Sequence, residues 1–249
     1  MIKLKTQKEI NIMREGGKKL AQIMQELTKL VKPGISTNEL NKAAEGLVLK
    51  YGAEPGFKGH QGFPCSLCTS VNAQAIVHAL PSDYVLKEGD IISLDLGLKY
   101  RDFYSDMAIT LPVGEIDYET MRLLKATKKS LKIGIKKAKV GNTIGDIGNT
   151  IQRFIEYRGF KVVESLCGHG IGRSLHEDPQ IPNYGKRGKG EPLKEGMVIC
   201  IEPMTTIGSP NLIKTEDGFG YTTKDGSLSC HFEHTIAITK SGPKILTEL

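Results

Sequence analysis

Five side chains are of a type and spacing that could hold metal ions: Asp95, Asp106, His169, Glu202 and Glu233. Asp95 lies inside the apolar run Ile91–Leu98, and a second strand-like segment runs from Phe103 to Pro112. A hairpin turning at Tyr100 and Arg101 would set Asp95 opposite Asp106, with Cβ atoms roughly 5 Å apart. Two ionised carboxylates opposed in a buried sheet repel, and burying them unpaired is costly. A shared proton or a cation must lie between them. The second half of the chain brings more ligands than a proton could use. Glu202 ends the apolar run Met197–Ile201, and Glu233 leads into the strand-like His234–Ile238. Their opposition is less constrained, because the loop between them is long. His169 sits in Cys167-Gly-His-Gly-Ile-Gly, where glycines allow the backbone a close approach and aim one imidazole. Four carboxylates and one imidazole suit two divalent ions of borderline hardness, cobalt, manganese, iron or zinc. Such a pair acidifies a bridging water and polarises a carbonyl, which is equipment for hydrolysing an amide or ester.

The other histidines and the cysteines divide by context. His78, at the end of the run Val71–Val77, and His176, seven residues beyond His169, read as hydrogen-bonding or proton-moving groups. His60 and His231 read as surface or loop residues and His234 as structural. Cys65 and Cys68 form a CxxC that could be redox-active or half a zinc site, but no second Cys/His pair stands at zinc-knuckle spacing. Reduced thiols in a loop or pocket wall are the expectation.

These residues need a scaffold. Thr6–Glu9 and Ser36–Glu39 read as capping boxes, each opening an amphipathic helix, and Pro33-Gly34 stops the first. Later helices are expected at about Asp117–Lys139 and Thr143–Tyr157. Strands are expected at Ile91–Leu98, Val198–Ile201 and Thr235–Ile238. The order is α+β, without regular strand–helix alternation. A weak internal repeat runs through it. Leu-Lys-Glu-Gly occurs at 86–89 and again at 193–196, an offset of 107. Lys32, Leu40, Val48 and Gly52 meet Lys139, Ile147, Ile155 and Gly159 at that same offset, and Asp95 meets Glu202. Two related halves, roughly 1–115 and 116–249 of one catalytic domain, are expected about a pseudo-two-fold axis, with the acids meeting near it.

The 249 residues carry a net charge of +6, with 39% hydrophobic and 25% charged side chains, an ordinary globular composition. The Lys-rich stretches Lys125–Lys139 and Lys186–Lys194 read as solvated faces rather than a nucleic-acid groove, leaving weak attraction to acidic surfaces such as the ribosome. No apolar signal core or membrane-length run is present, so a cytoplasmic protein is expected.

Cys167–Pro179, Gly196–Met204 and Glu233–Ile236, with the Asp95–Asp106 spacing, are similar to the type I methionine aminopeptidases of the short bacterial kind. The resemblance covers the chain from Ile2 to about Thr247. It implies the pita-bread fold, two pseudo-symmetric αβ halves around a central antiparallel sheet, and a monomer. It implies that Asp95 holds one metal, that Asp106 and Glu233 bridge, and that His169 and Glu202 complete the second site. In that family a metal-bridging hydroxide attacks the scissile carbonyl, with Glu202 as proton acceptor and His78 and His176 beside the bond. A methionine pocket would be lined by His60, Phe63, Cys68, Leu175 and Phe219. The implied activity is removal of the initiator methionine from nascent chains when the second residue is small. Two departures stand out: five residues rather than four separate Asn72 from His78, and Ala79 replaces a glycine. Phe57, Gln61 and Leu175 are also atypical pocket residues. The N-terminal domain usual in a prolidase or aminopeptidase P is not expected, and a non-catalytic pita-bread binding module would have lost ligands that are intact here.

Overall fold

The computed structural model describes residues 1–73 and 76–249, so the middle of the expected run Val71–Val77 lies outside the described residues. Helix α1 (Gln7–Thr28) opens on the Thr6 box, where the Thr6 hydroxyl accepts the Glu9 N–H at 3.3 Å and the Glu9 carboxylate accepts the Thr6 N–H at 2.9 Å. It ends before Pro33, leaving Val31 beyond its last turn. Helix α2 (Thr37–Lys50) repeats the box with Ser36 and Glu39. The short β1 (Glu54–Pro55) and β2 (Cys68–Val71) precede the long hairpin of β3 (Ile91–Tyr100) and β4 (Phe103–Pro112). Then come α3 (Tyr118–Ile135), capped by Asp117 and ending short of Lys139, and α4 (Ile144–Tyr157), capped by Thr143. Strands β5 (Lys161–Val162), β6 (Cys167–Gly170), β7 (Glu177–Pro182), β8 (Val198–Ile201), β9 (Met204–Thr206), β10 (Leu212–Lys214), β11 (Tyr221–Thr223), β12 (Ser229–His231), β13 (His234–Thr239) and β14 (Gly242–Ile245) complete the chain.

All strand pairs are antiparallel. One edge of β3 is zipped to β4, and the other carries β2 at one end and β1 at the other. In the second half the order is β14-β13-β8-β6-β7, with β12-β9-β5 and β10-β11 as smaller sheets. The offset of 107 holds at element boundaries: α2 at 37–50 maps onto α4 at 144–157, β1 at 54–55 onto β5 at 161–162, and the start of β3 at 91 onto that of β8 at 198. Turn glycines obey it too. Gly34, Gly52 and Gly89 have φ of 95°, 68° and 88°, and Gly141, Gly159 and Gly196 have 92°, 86° and 86°. Each half owns a core. Leu94, Leu96 and Leu98 of β3 pack against Leu20, Leu40 and Val48 of α1 and α2. Ile199 and Ile201 of β8 pack against Leu123, Ile147 and Ile151 of α3 and α4.

Two threonine hydroxyls staple the halves. Thr110 of β4 accepts the His231 N–H at 2.9 Å and donates to the His231 carbonyl at 2.7 Å. Thr235 of β13 does the same for Asp106, at 3.0 and 2.8 Å. Each hydroxyl satisfies a buried residue's N–H and carbonyl on the side away from its strand partner, Gly97 for Asp106 and Met204 for His231. Thr110→Val keeps the shape and orphans both backbone groups, so it should cost about 2–4 kcal/mol. Urea unfolding of metal-free protein checks this, and an unchanged midpoint would contradict it.

Candidate metal centre and cleft

Strand alternation decides which β3 side chains meet the site. With Leu94, Leu96 and Leu98 committed to the helices, Ser93, Asp95 and Gly97 face the other way. The register corrects the expected hairpin by one residue. Tyr100 pairs with Phe103, and the turn is Arg101-Asp102, with φ of 47° and 68°, both left-handed as a two-residue type I′ turn requires. Asp95 therefore pairs with Ala108, and Asp106 with Gly97. The two acids share a face as diagonal neighbours rather than standing opposite each other. Gly97 is a necessity here, since a Cβ at that position would sit 2.5 Å from the Phe57 ring.

In the second half the ladder ends at His234 paired with Ile201. One further step of the same register sets Glu233 against Glu202, so the long connection between them does not disturb their opposition. The Glu233 N–H reaches across to the Ala108 carbonyl at 2.9 Å, which seats it beside β4. One oxygen each from Asp95, Asp106 and Glu233 lies within 4.8 Å of the others. His169 enters from β6, a strand pressed so tightly between its neighbours that a Cβ at Gly168 would lie 2.3 Å from the Cys200 carbonyl and one at Gly170 2.1 Å from that of Asp178. Its Nε2 lies 3.7 Å from Glu202 and 4.0 Å from Asp106, while Nδ1 sits 2.8 Å from the Gly170 carbonyl. All five residues are thus brought together.

The electrostatics of this cluster are unbalanced. Asp95, Asp106, Glu202 and Glu233 are between 2% and 8% exposed, and among the described residues no Lys or Arg pairs with them. Burial, reinforced by the neighbouring carboxylates, pushes Asp95, Glu202 and Glu233 well above the usual carboxylate range. Burial likewise pushes Asp106 up to about 7, although the Met107 N–H it accepts opposes the shift. It pulls His169 down to about 4. Oxygens of Asp95 and Glu233 are sealed in without a hydrogen-bond partner. Stranded acceptors beside a neutral imidazole form a donor set that fits divalent cations.

One histidine departs from expectation. His231, read as a surface or loop residue, is 1% exposed, with Nε2 3.4 Å from Glu202. Strand β12 lies inside, paired to β9 and clamped by Thr110, which is why the ring is buried. The signal available in sequence was its spacing of two from Glu233, which puts both side chains on one face of an extended segment.

Above the acids opens a cleft of about 890 Å³. Its walls include Phe57, His60, Phe63, Cys68, Leu175 and Phe219. The Phe63 ring stands edge-on to Phe57 at 6.4 Å and to Phe219 at 5.6 Å. Cys68 is a buried wall, and both CxxC thiols are free. His176 stacks edge-on against His169, with ring centroids 4.5 Å apart, and its Nδ1 lies 3.3 Å from His60 Nε2. His78 stands exposed on a left-handed backbone with φ of 57° and also lines the cleft. His234 lies outside it, bonded through Nδ1 to the Thr247 hydroxyl at 2.9 Å.

Residues 11–240 match the metallopeptidase family M24. The chain belongs to that family. It is 48% identical over 247 residues to a methionine aminopeptidase of Clostridium perfringens, covering 99% of each chain. It superimposes on the crystal structure of a methionine aminopeptidase from Thermotoga maritima with a TM-score of 0.98 at 42% identity, covering both chains fully. Against a prolidase from Pyrococcus furiosus the TM-score is 0.80 at 26% identity, and the match spans 65% of that longer chain. Membership in the M24 family carries the pita-bread architecture and the use of divalent metal, in agreement with the two-half sheet and the stranded carboxylates.

In this M24 chain the loop bearing His176 is strapped down by its own N-terminal segment. Lys5 Nζ donates to Glu177 at 2.7 Å and to the Lys3 carbonyl at 3.0 Å, and both charged side chains are 6% exposed. Burial works against the Glu177 charge, but the Lys5 ammonium outweighs it and holds the carboxyl below its ordinary 4.5. A carboxyl depressed on folding contributes stability that is full above its unfolded pKa and is lost as pH falls through the folded value. Lys5→Met leaves Glu177 buried and unpaired, and should cost about 3 kcal/mol at neutral pH. The difference from the parent should narrow below pH ~4.5. Urea titrations at neutral and acid pH check this, and a pH-independent difference would assign the effect to packing alone.

Proposed function

We propose that this chain is a metal-dependent methionine aminopeptidase that removes the N-terminal methionine from peptides and nascent proteins when the second residue is small. The observation that carries the proposal is the convergence of Asp95, Asp106, His169, Glu202 and Glu233 beneath an aromatic-walled cleft. The full-length match to proteins named methionine aminopeptidase supports it. Asp95 would hold one ion, Asp106 and Glu233 would be shared by two, and His169 and Glu202 would complete the second site. The ions, drawn from cobalt, manganese, iron or zinc, would supply a Lewis acid for the scissile carbonyl and an acidified water.

The protein's own groups do the rest. The slot of Phe63, Phe219, His60 and Cys68 would take the thioether side chain, whose polarisable sulfur suits ring edges. Glu202 would accept the proton released on attack and pass it towards the leaving amine. His176, held by its contacts with His60 and His169, would present an N–H towards the developing negative charge, and His78 would face the scissile amide from the other wall. The same reading takes 1–249 as one catalytic unit with halves at about 1–115 and 116–249. It takes the protein as a cytoplasmic monomer that meets nascent chains at the ribosome, and the charge of +6 favours that encounter. Among the described residues, no helix is long and apolar enough to cross a membrane.

Protein stripped with chelator and reloaded with one metal at a time should cleave Met-Ala-Ser and leave Ala-Pro intact. Cleavage of Ala-Pro alone would replace the assignment with a prolidase, and no metal-dependent cleavage would favour a binding module. Asp106→Asn should abolish turnover and metal binding together, because the residue would be shared by both ions. His176→Ala should lower kcat by about 10²-fold with metal content unchanged, as expected for loss of one group stabilising the transition state. Loss of metal in that variant, read by atomic absorption, would refute the division of roles among the histidines.

A further inference from the structure

Glu202 stands between two imidazoles, one at each carboxylate oxygen. His169 Nε2 lies 3.7 Å from Oε1, and His231 Nε2 lies 3.4 Å from Oε2. The rings differ at their other nitrogens. His169 Nδ1 is 2.8 Å from the Gly170 carbonyl, which can only accept, so the proton sits on Nδ1 and Nε2 presents a lone pair. A lone pair facing a carboxylate oxygen is repulsive unless a cation lies between them, as for two ligands of one metal. His231 has no such support: neither of its ring nitrogens makes a hydrogen bond, and only Nε2 has a carboxylate within 4 Å among the described residues. A metal-ligating histidine ordinarily donates its second N–H to an acceptor, so the missing partner speaks against His231 as a ligand. This holds even though its ring also falls within 4.8 Å of Glu202 and Glu233 oxygens.

What His231 does have is an acceptor beside Nε2. A neutral imidazole carries one N–H, and the Glu202 carboxylate lies against that nitrogen. The backbone that carries the ring is fixed, because the Thr110 hydroxyl holds the His231 N–H and carbonyl at 2.9 and 2.7 Å and β12 pairs His231 with Met204. A ligating carboxylate in turn needs a hydrogen bond on the oxygen it does not give to the metal. Taking the metal centre as proposed above, we infer that His231 is the positioning residue of Glu202. Its Nε2–H donates to Oε2, which leaves Oε1, on the His169 side, as the oxygen offered to the metal. The 3.4 Å separation is within reach of a hydrogen bond after a small rotation of the carboxylate.

The test compares His231→Ala, His231→Gln and His169→Ala after chelator stripping. Mn(II) affinity is read by calorimetry, and the number of coordinated imidazole nitrogens by pulsed electron paramagnetic resonance. His231→Ala should weaken Mn(II) binding 10–100-fold, and His231→Gln, which keeps a side-chain N–H donor, should recover it to within about threefold of the parent. One imidazole coupling should be present in the parent and in His231→Ala, and none in His169→Ala. Unchanged affinity in His231→Ala would overturn the role, as would failure of the Gln variant to restore binding. Two imidazole couplings in the parent, with one lost in His231→Ala, would make His231 a ligand instead. Should the Ala variant not fold, His231→Leu fills the volume without a donor and carries the same expectation. Parent-like binding by His169→Ala would instead strike at the metal centre itself, a failure readily told apart from the others.

Discussion

Four carboxylates held together out of water are the constraint on which the rest of this structure depends. Each sits where an unpaired charge is strongly disfavoured, and among the described residues no cationic side chain relieves them. Only rigid elements can hold such groups in place, because any mobile segment would let the acids escape to solvent. The fold meets this by hanging every one of them on or beside a strand of a sheet that is backed by helices. Asp95 and Asp106 share one hairpin, and Glu202 and Glu233 flank the end of one ladder. The threonine staples then carry the arrangement across the boundary between halves. Thr235 fixes the backbone of Asp106 from the second half, and Thr110 fixes the backbone of His231 from the first.

Duplication explains how a single chain assembles so costly a cluster. Asp95 and Glu202 occupy equivalent positions in β3 and β8, and the glycines that end the preceding turns share nearly the same φ in both copies. The chain therefore needs one solution for placing an acid at a strand, used twice about an axis.

Much of this was legible from residues alone, and the failures have specific causes. Capping boxes located the starts of α1 and α2, because the cap chemistry is local, and α3 and α4 begin within a residue of the expected Asp117 and Thr143. Helix ends were less visible: α1 stops at Thr28, ahead of the Pro33-Gly34 breaker, and α3 stops at Ile135, short of the expected Lys139. The β3–β4 turn was misplaced by one residue because neither Arg101 nor Asp102 advertises a left-handed backbone as glycine would. That slip preserved the shared face of the two acids but turned direct opposition into a diagonal. His231 was misread because burial of a short strand is set by what packs over it, here β9 and Thr110, and neither lies near it in sequence.

The pairing of strands also uncovers a relation between the histidines that one offset hides. Ile92 pairs with Val71 and Ile199 with Gly170, and Ile92 and Ile199 are themselves equivalent at 107. Val71 and Gly170 are therefore equivalent at 99, the first copy carrying eight more residues between its short opening strand and this one. His176 lies six residues beyond Gly170, and His78 seven beyond Val71. The two histidines at the cleft are thus near-equivalents, brought in by the same strand from opposite sides, and the extra residue before His78 marks the place where the copies part. The position equivalent to His169 is Ser70, buried and paired with Ser93, which offers no metal ligand. Symmetry supplies Asp95, Glu202 and the flanking histidines, and departure from it supplies His169. In the two-ion centre proposed above, two like carboxylate pairs would leave the ions interchangeable, whereas one imidazole would make the two sites different in charge and ligand type, and so able to take different parts.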